Sequence, residues 1–393
     1  MVAVFVIYGL ISEETDSMAA NGENQRERMR ERPRKGGKPM SKSFVNKVLV
    51  GGALAAGAAV WAIAPRTFSD KRRNYVPAVP DVWYAHRGLH DAGSGLTAQY
   101  ASESGEYVAL ARRMAMKAGY GSPSVTGAIA PENSLAAFAA ACEAGYGIEL
   151  DLQMTADGEI VVVHDGDLMR VAGDPRRIAD LTYDELTRIP LFPTDAPGAA
   201  VAAPLSGSLE KPPLVTTPDS APDGYFQHVP LFADVLKVVA GRVPLIVEYK
   251  FDDNSKWGPR DVELMEKGDA LLQAYSGAYV IESFNPAAVN WYKENRPEVC
   301  RGQLSWWPQG EEKPSDPGAL AKEYAAGALI FDWISRPDFV AYDWHGGNSP
   351  QVRLARFMGA VPVSWTVRSR DELAQCDDWF DHHIFEAFVP DEQ

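Results

Sequence analysis

Cysteine is scarce in this chain of 393 residues: Cys142, Cys300 and Cys376 are the only three. They are odd in number and far apart, which fits neither a disulfide framework nor a zinc-ligand pattern, so they are read as core residues that do not report the compartment. Positive charge is also thin over most of the chain. Residues 81–393 hold 25 Lys+Arg against 46 Asp+Glu, while residues 1–80 hold 13 against 7. A body this acidic repels phosphate backbones, which excludes nucleic acid as a partner. Self-similarity at a period of about 20–50 residues is absent, and with it the solenoid and propeller architectures.

Long apolar runs are missing too, with one exception. "VLVGGALAAGAAVWAIA" (48–64) is 17 uncharged residues, and Phe44 to Lys47 can extend it, so residues 44–65 are expected to form a transmembrane anchor. A cleaved signal peptide is the alternative, because Ala62-Ile63-Ala64 resembles a small-residue cleavage site, although Pro65 directly after the cut would hinder a peptidase. A buried or interfacial helix is the third reading. Residues 1–43, ending in the charge-dense "RERMRERPRKGGKPMSKS", are expected to be a disordered basic tail. Seven basic residues between Arg30 and Lys47 outnumber the four between Arg66 and Arg73. That excess favours a single-pass protein of the cell membrane with its N-terminus inside and its body outside.

The body, expected over residues 80–393, alternates short β-branched or aromatic runs with helical stretches. In order the runs are "VWYAH", "YGIELDLQ", "EIVVVHD", "PLIVEYK", "AYVIESF", "CRGQLSW", "ALIFDW", "VPVSWTV" and "HHIFEAF". Such alternation predicts βαβ units, and eight of them close into a TIM (β/α)8 barrel, an α/β fold. Nine runs is one too many. "EIVVVHD" follows "IELDLQMTADG" across an Asp157-Gly158 turn, which signals a hairpin, so it is assigned to an insertion after the second strand, about residues 152–230. Within it, residues 191–230 hold eight of the 28 prolines, and an irregular loop is expected there. Residues 91–130 contain the amphipathic pattern "EYVALARRMAMKAGY" and, lying directly after the first strand, are expected to form a lid.

Several of these strands end in charge. Glu149 and Asp151 are two apart in "IELDL", so both project to one side of a strand, and Glu248 and Lys250 repeat the arrangement in "IVEYK". An ionised carboxylate at the end of a buried strand costs several kcal/mol unless it is paired or binds a cation. Three hard oxygen donors converging at the carboxyl end of a barrel suit Mg²⁺ or Ca²⁺ better than zinc. For any one acid, a salt bridge to Arg87 or Lys250 is the competing explanation. All three together with two histidines weaken it.

"AHRG", "PENSLAAFAAACEAGYGIELDLQMTADGEIVVVHD", "IVEYK", "ESFNP" and "SWTV", spread over residues 83–390, together resemble the glycerophosphodiester phosphodiesterase family. The long central string is the most specific part. The resemblance implies a barrel related to phosphatidylinositol-specific phospholipase C, with a metal held by carboxylates. Carried over by motif, His86 and His164 match catalytic acid/base histidines, Glu149, Asp151 and Glu248 match metal ligands, and Arg87 and Lys250 match phosphate contacts. Trp365 matches a tryptophan that shapes the pocket. The long 91–130 segment departs from the family pattern. So does Arg368, where relatives often carry asparagine, and an extra cation there suggests a more anionic substrate.

The chemistry agrees with these assignments. A phosphodiester is a stable monoanion whose hydrolysis needs charge neutralisation at the phosphoryl oxygens and protonation of a leaving alkoxide. A cation with Arg87 and Lys250 meets the first need and two imidazoles meet the second. The expected activity is metal-dependent hydrolysis of a glycerophosphodiester, from lipid or wall polymer, to glycerol phosphate and an alcohol. A lysophospholipase D-like or sphingomyelinase D-like enzyme on the same fold is the nearest alternative. A non-catalytic membrane-anchored binding module is another, opposed by the intact histidines and acids. Glu132 and Asn133 are read as capping or loop contacts as readily as substrate contacts. His90 is weighed as a minor substrate contact, and His382 and His383 as structural.

Overall fold

Runs of β-branched and aromatic residues buried along almost their whole length belong to a parallel sheet covered on both faces. The computed structural model describes residues 56–69, 78–193, 225–252, 254, 256–308 and 314–391. The strands in chain order are β1 (Tyr84–Ala85), β2 (Gly147–Met154), β3 (Ile160–Val162), β4 (Asp167–Leu168), β5 (Asp174–Arg177), β6 (Leu245–Tyr249), β7 (Tyr279–Ser283), β8 (Arg301–Ser305), β9 (Phe339–Asp343), β10 (Val361–Val367) and β11 (His382–Phe385). β1, β2 and β6 to β11 pair in parallel, and β1 joins both β2 and β11, so eight strands close on themselves. The expected (β/α)8 barrel is present.

One expected strand is misplaced. "ALIFDW" is a turn followed by a short helix, Asp332–Ser335, and the strand is instead "FVAYD", β9. The amides of Ala328, Leu329 and Ile330 are taken by carbonyls of the preceding helix, Pro317–Gly327, so these apolar residues end a helix rather than enter the sheet.

Side chains at alternate positions along a strand share a face, and that period of two places the site. Tyr84, Ile246, Val280, Leu304, Phe339, Val363 and Ile384 form one apolar cluster drawn from seven strands, the filling of the barrel. Two residues further along five of these strands stand His86, Glu248, Glu282, Trp365 and Glu386. Each column is thus apolar low in the barrel and polar at its carboxyl end. Gly302 leaves room on β8 that the Phe339 ring fills, since a Cβ there would lie 2.1 Å from the ring. Gly302→Ala should therefore lower stability by about 1–3 kcal/mol through overpacking; a thermal-melting midpoint equal to that of wild type would refute this.

The hairpin reading of "EIVVVHD" holds: β3 pairs antiparallel with the far half of β2, around a turn in which Gly158 has φ +83°. The excursion has its own apolar core, including Val161, Leu168, Val171, Ile178, Leu186 and Phe192. The segment expected as a lid differs. Its helix α1 (Ala101–Lys117) packs on α2 (Leu135–Ala144) in the outer ring, with Tyr107 and Ala111 buried. The buried face of α1 finds a helix beside the barrel, so it need not cover the mouth.

The chain separates into residues 1–62 and 63–393. In the second unit Ala64 to Thr67 are tied to Arg336, Asp338 and Met358, at the amino ends of β9 and β10. The expected tail 1–43, much of the expected anchor 44–65, and residues 194–224 lie outside the described residues. Among the described residues no helix is long and apolar enough to cross a membrane.

Candidate active site

The upper layer of the barrel gathers acids. Register pairs Asp151 with Glu248 and Glu248 with Glu282, so neighbouring strands set three carboxyls side by side, with Glu149 one pleat below on β2. One ligand oxygen each from Glu149, Asp151 and Glu248 lies within 4.8 Å of the others, and all three residues are buried. Burial, then Asp151 and Glu248, push the Glu149 carboxyl well above the usual carboxylate range. Burial raises Glu248 to about 7 despite Lys250. Burial would also raise Asp151, but Lys250, His164, Arg87 and Asn133 hold it below its ordinary value. Lys250 Nζ stands 2.7 Å from Glu248 and 3.2 Å from Asp151. Two cations, Lys250 and Arg87 (Nε 3.5 Å from Asp151), still leave the three buried acids with an excess of negative charge, which a proton or a divalent ion must offset.

After β1 the backbone turns sharply. Arg87 (φ 57°) and Gly88 (φ 82°) are both left-handed, and a Cβ on Gly88 would lie 2.9 Å from Ala137 backbone. The turn aims the Arg87 amide at Glu149 Oε2, 3.0 Å away, while its guanidinium donates to Glu132 at 2.8 Å. Asn133, also left-handed, donates to Asp151 at 2.8 Å. Arg170 grips Glu132 with two bonds and Asp165 with a third. Arg87 Nε is buried with no hydrogen-bond acceptor among the described residues. It faces Asp151 Oδ2 at 3.5 Å, an ion pair longer than a hydrogen bond.

His86 is clamped from behind. Its Nδ1 lies 2.7 Å from Glu386 Oε2, and Nε2 lies 4.0 Å from Glu149 Oε2. Burial would raise Glu386, but Arg368 and His86 hold it well below the carboxylate range, so Glu386 is an acceptor. Nδ1 therefore carries the hydrogen and Nε2 keeps its lone pair. Burial lowers His86 to about 4, outweighing Glu386, so the ring is neutral and able to accept a proton near pH 7. His164 arrives on the loop after β3, with its side chain one third exposed and Nδ1 2.8 Å from Asp165. Gln153 fixes that loop by donating to the carbonyls of Val163, His164 and Asp165.

A cavity of about 840 Å³ opens beside these groups, bordered by His164, Trp257, Phe284, Trp306, Trp365 and Arg368 among others. Trp365 packs edge-on against Phe284. Arg368, expected as an extra cation for substrate, donates from Nε to Glu386 and also borders the cavity. His90 is fully buried, 3.6 Å from Glu386, and does not border the cavity. His382 and His383 stand at the amino end of β11, where His383 bonds Ser364 and Asp377. No residue of 91–130 borders the cavity.

Glu282, Glu386 and Gln153 are among the polar partners that escaped the sequence reading, with Arg170 and Asp165. Glu282 and Glu386 obey the same period of two that exposed Glu149 and Asp151, in strands already recognised. Gln153 carries no such signal, because its role depends on where the hairpin loop returns. Glu386→Gln should cut turnover on the order of 10²-fold or more, since an amide neither fixes the Nδ1–H tautomer nor stabilises an imidazolium. In a His86→Ala background the same change should do almost nothing further. An additive loss in the double variant would reduce Glu386 to a structural residue.

A sequence model of the Glycerophosphoryl diester phosphodiesterase family matches residues 125–385. The chain is 43% identical over 60 residues to a glycerophosphodiester phosphodiesterase of Caldanaerobacter subterraneus, covering 15% of this chain and 25% of that protein. It is likewise 43% identical over 61 residues to bovine glycerophosphodiester phosphodiesterase 1, covering 15% and 18%. The matched stretches thus span a quarter or less of these curated relatives. A crystal structure from Silicibacter pomeroyi DSS-3, provisionally named glycerophosphoryl diester phosphodiesterase, superposes with a TM-score of 0.50 at 22% identity, over 70% of this chain and 94% of that one. This likeness shows the shared barrel. The family match begins after β1, so His86 and Arg87 enter the site by geometry alone.

Proposed function

The chain belongs to the glycerophosphoryl diester phosphodiesterase family, and from that premise we propose that it hydrolyses glycerophosphodiesters to glycerol phosphate and an alcohol, aided by Mg²⁺ or Ca²⁺. The observation that carries this reading is the convergence of Glu149, Asp151 and Glu248 within 4.8 Å of one another, beside His86, Arg87, His164 and Lys250. The donor set fits a hard cation: all oxygen, buried, and carrying more negative charge than Lys250 offsets. A divalent ion held by these three would neutralise charge on the phosphoryl oxygens. Arg87 Nε and Lys250 bind the remaining oxygens. His86, neutral and with Nε2 unprotonated, takes the proton of the attacking hydroxyl or water. His164, bordering the cavity, delivers a proton to the leaving alcohol. Burial lowers His164 in the free enzyme, and Arg87 and Lys250 lower it further; a bound phosphate would offset those two cations and so favour the protonated ring.

The anchor over residues 44–65 is part of the same proposal, with the body outside the cell membrane. Alkaline phosphatase fused after Gln393 should be active; a fused domain that stays protected inside the cell reverses the orientation. For the chemistry, the full chain in detergent is offered a panel of glycerophosphodiesters and a lysophospholipid, followed by phosphorus-31 resonance. Release of glycerol phosphate with added Mg²⁺ or Ca²⁺ is expected. Cleavage of the lysophospholipid alone would move the chain to the phospholipase D-like reading, and no cleavage by folded protein would remove the activity.

A further inference from the structure

Glu132 and Asp165 stand apart from the three clustered acids, and one guanidinium joins them. Arg170 donates from Nη1 and Nη2 to the two oxygens of Glu132, at 2.9 and 2.6 Å, and from Nε to Asp165 Oδ2 at 2.6 Å. Glu132 also accepts from Arg87 at 2.8 Å and from the Ser94 amide at 2.6 Å. Asp165 Oδ1 in turn lies 2.8 Å from His164 Nδ1. An unbroken line of ion pairs therefore runs from Arg87 through Glu132, Arg170 and Asp165 to His164, from a phosphate contact to the histidine that delivers a proton. None of the three middle residues borders the cavity, so none touches a substrate held there.

The pair at the end of this line is weak by itself. His164 and Asp165 are chain neighbours on a loop, with side chains 33% and 27% exposed. Gln153 holds that loop by its carbonyls, but a hold on the backbone does not fix side-chain rotamers. A partly exposed ion pair favours its paired geometry by at most about fivefold, too little to keep an imidazole in one direction and one tautomer. Arg170 changes this. Its stem leaves the short helix Met169–Ala172 between Leu168 and Val171, both buried in the apolar core of the insertion. Its far end is locked by two bonds to Glu132, whose side chain is only 2% exposed. Burial would raise Glu132, but Arg170 and Arg87 hold it well below the carboxylate range, so the anchor is an anion. A planar fork fixed at both ends leaves Nε a single direction, and Asp165 Oδ2 lies on it. Burial would likewise raise Asp165, but His164 and Arg170 hold it below its ordinary value, so it accepts the Nδ1 hydrogen. Nε2 is then the nitrogen left to carry a proton to the cavity.

We propose that Arg170 is a positioning residue for the proton donor: anchored on the carboxylate that also holds Arg87, it fixes Asp165, and through Asp165 the direction and tautomer of His164 relative to the bound phosphate. The inference rests on the phosphodiesterase reading and adds to it a residue of the insertion. The fork is essential, because a lysine is a point charge that reaches one of the two acids but does not bridge them.

The full chain is assayed as wild type, Arg170→Met and Arg170→Lys on an alkyl and an aryl ester of glycerol phosphate. A ring that points astray delivers its proton poorly, so kcat on the alkyl ester should fall about 10–100-fold in both variants. The aryl ester leaves without a proton and should change by less than about twofold. KM should hold, because Arg87 keeps Glu132 and its amide bond to Glu149. In a His164→Ala background either change should cost nothing further. Equal losses on both esters, full activity of Arg170→Lys on the alkyl ester, or an additive loss in the double variant would overturn the proposal. Arg170→Lys keeps a cation beside buried Glu132, so it carries the test should Arg170→Met fail to fold. If folded wild type cleaves no ester, the hydrolase reading falls, and nitrogen-15 resonances of labelled histidine still decide the positioning. In alkaline buffer His164, assigned by its loss in His164→Ala, should be a single Nδ1–H tautomer in wild type and a mixture of tautomers in Arg170→Lys. One tautomer in both, or a mixture in both, overturns it.

Discussion

His164→Ala should lose on the order of 10²–10⁴-fold in turnover of an alkyl glycerophosphodiester, yet hydrolyse the 4-nitrophenyl ester of glycerol phosphate almost as fast as wild type. An alkoxide leaving group needs a proton, whereas nitrophenolate leaves without one. His164 is suited to supply it, being one third exposed and on the border of the cavity that would receive the alcohol. His86 sits deeper, its side chain only 12% exposed and its Nδ1 fixed by Glu386, which leaves Nε2 as a base. His86→Ala should therefore slow both esters alike. If both variants lose equally on both esters, the division of labour between the histidines is wrong.

Removing divalent ions should abolish hydrolysis, and restoring Mg²⁺ or Ca²⁺ should recover it with an affinity that weakens about tenfold per pH unit below about 7. The cause lies in Glu248. Burial first, then Asp151, lift its carboxyl to about 7 against the pull of Lys250, compared with about 4.3 in an unfolded chain. A folded pKa above the unfolded one means that, without the ion, this group stabilises fully below about pH 4.3, and that the contribution is lost as pH rises through about 7. The ion must displace that proton in acid and finds it already gone in alkali. The rise in melting temperature caused by saturating ion should thus be larger at pH 8 than at pH 5. Glu149 is raised as well, so a steeper slope, nearer two protons, fits the same picture. Affinity unchanged between pH 5 and 8 would show that the ion binds elsewhere.

Composition and short-range pattern reached most of the fold. Seven of eight barrel strands were legible because parallel strands buried on both faces are nearly continuous apolar runs. The eighth failed where two such runs, "ALIFDW" and "FVAYD", lie close together in the chain. Local pattern cannot say which of them a helix end will consume, and hydrogen bonds to the Pro317–Gly327 helix decide it. The helix in the expected lid segment shows the same limit. An amphipathic helix announces that one face is buried but not against what, and α2 was the available partner.

The site divides along the same line. Glu149, Asp151, Glu248 and Lys250 were readable by themselves, because charge at the end of an apolar run is costly and so calls for a function, whereas the roles of His86 and His164 came from the family resemblance. Spacing of two told which of them share a face. What the chain order could not convey is juxtaposition across strands far apart in sequence: Glu386 meets His86 over 300 positions, and Arg368 donates to Glu386. Residue type and local spacing are properties of the chain, and they determined the barrel, its charged rim and the acid/base chemistry available there. Which rim groups satisfy one another is set by closure of β1 on β11, because a hydrogen bond needs two atoms within about 3 Å whatever their separation along the chain.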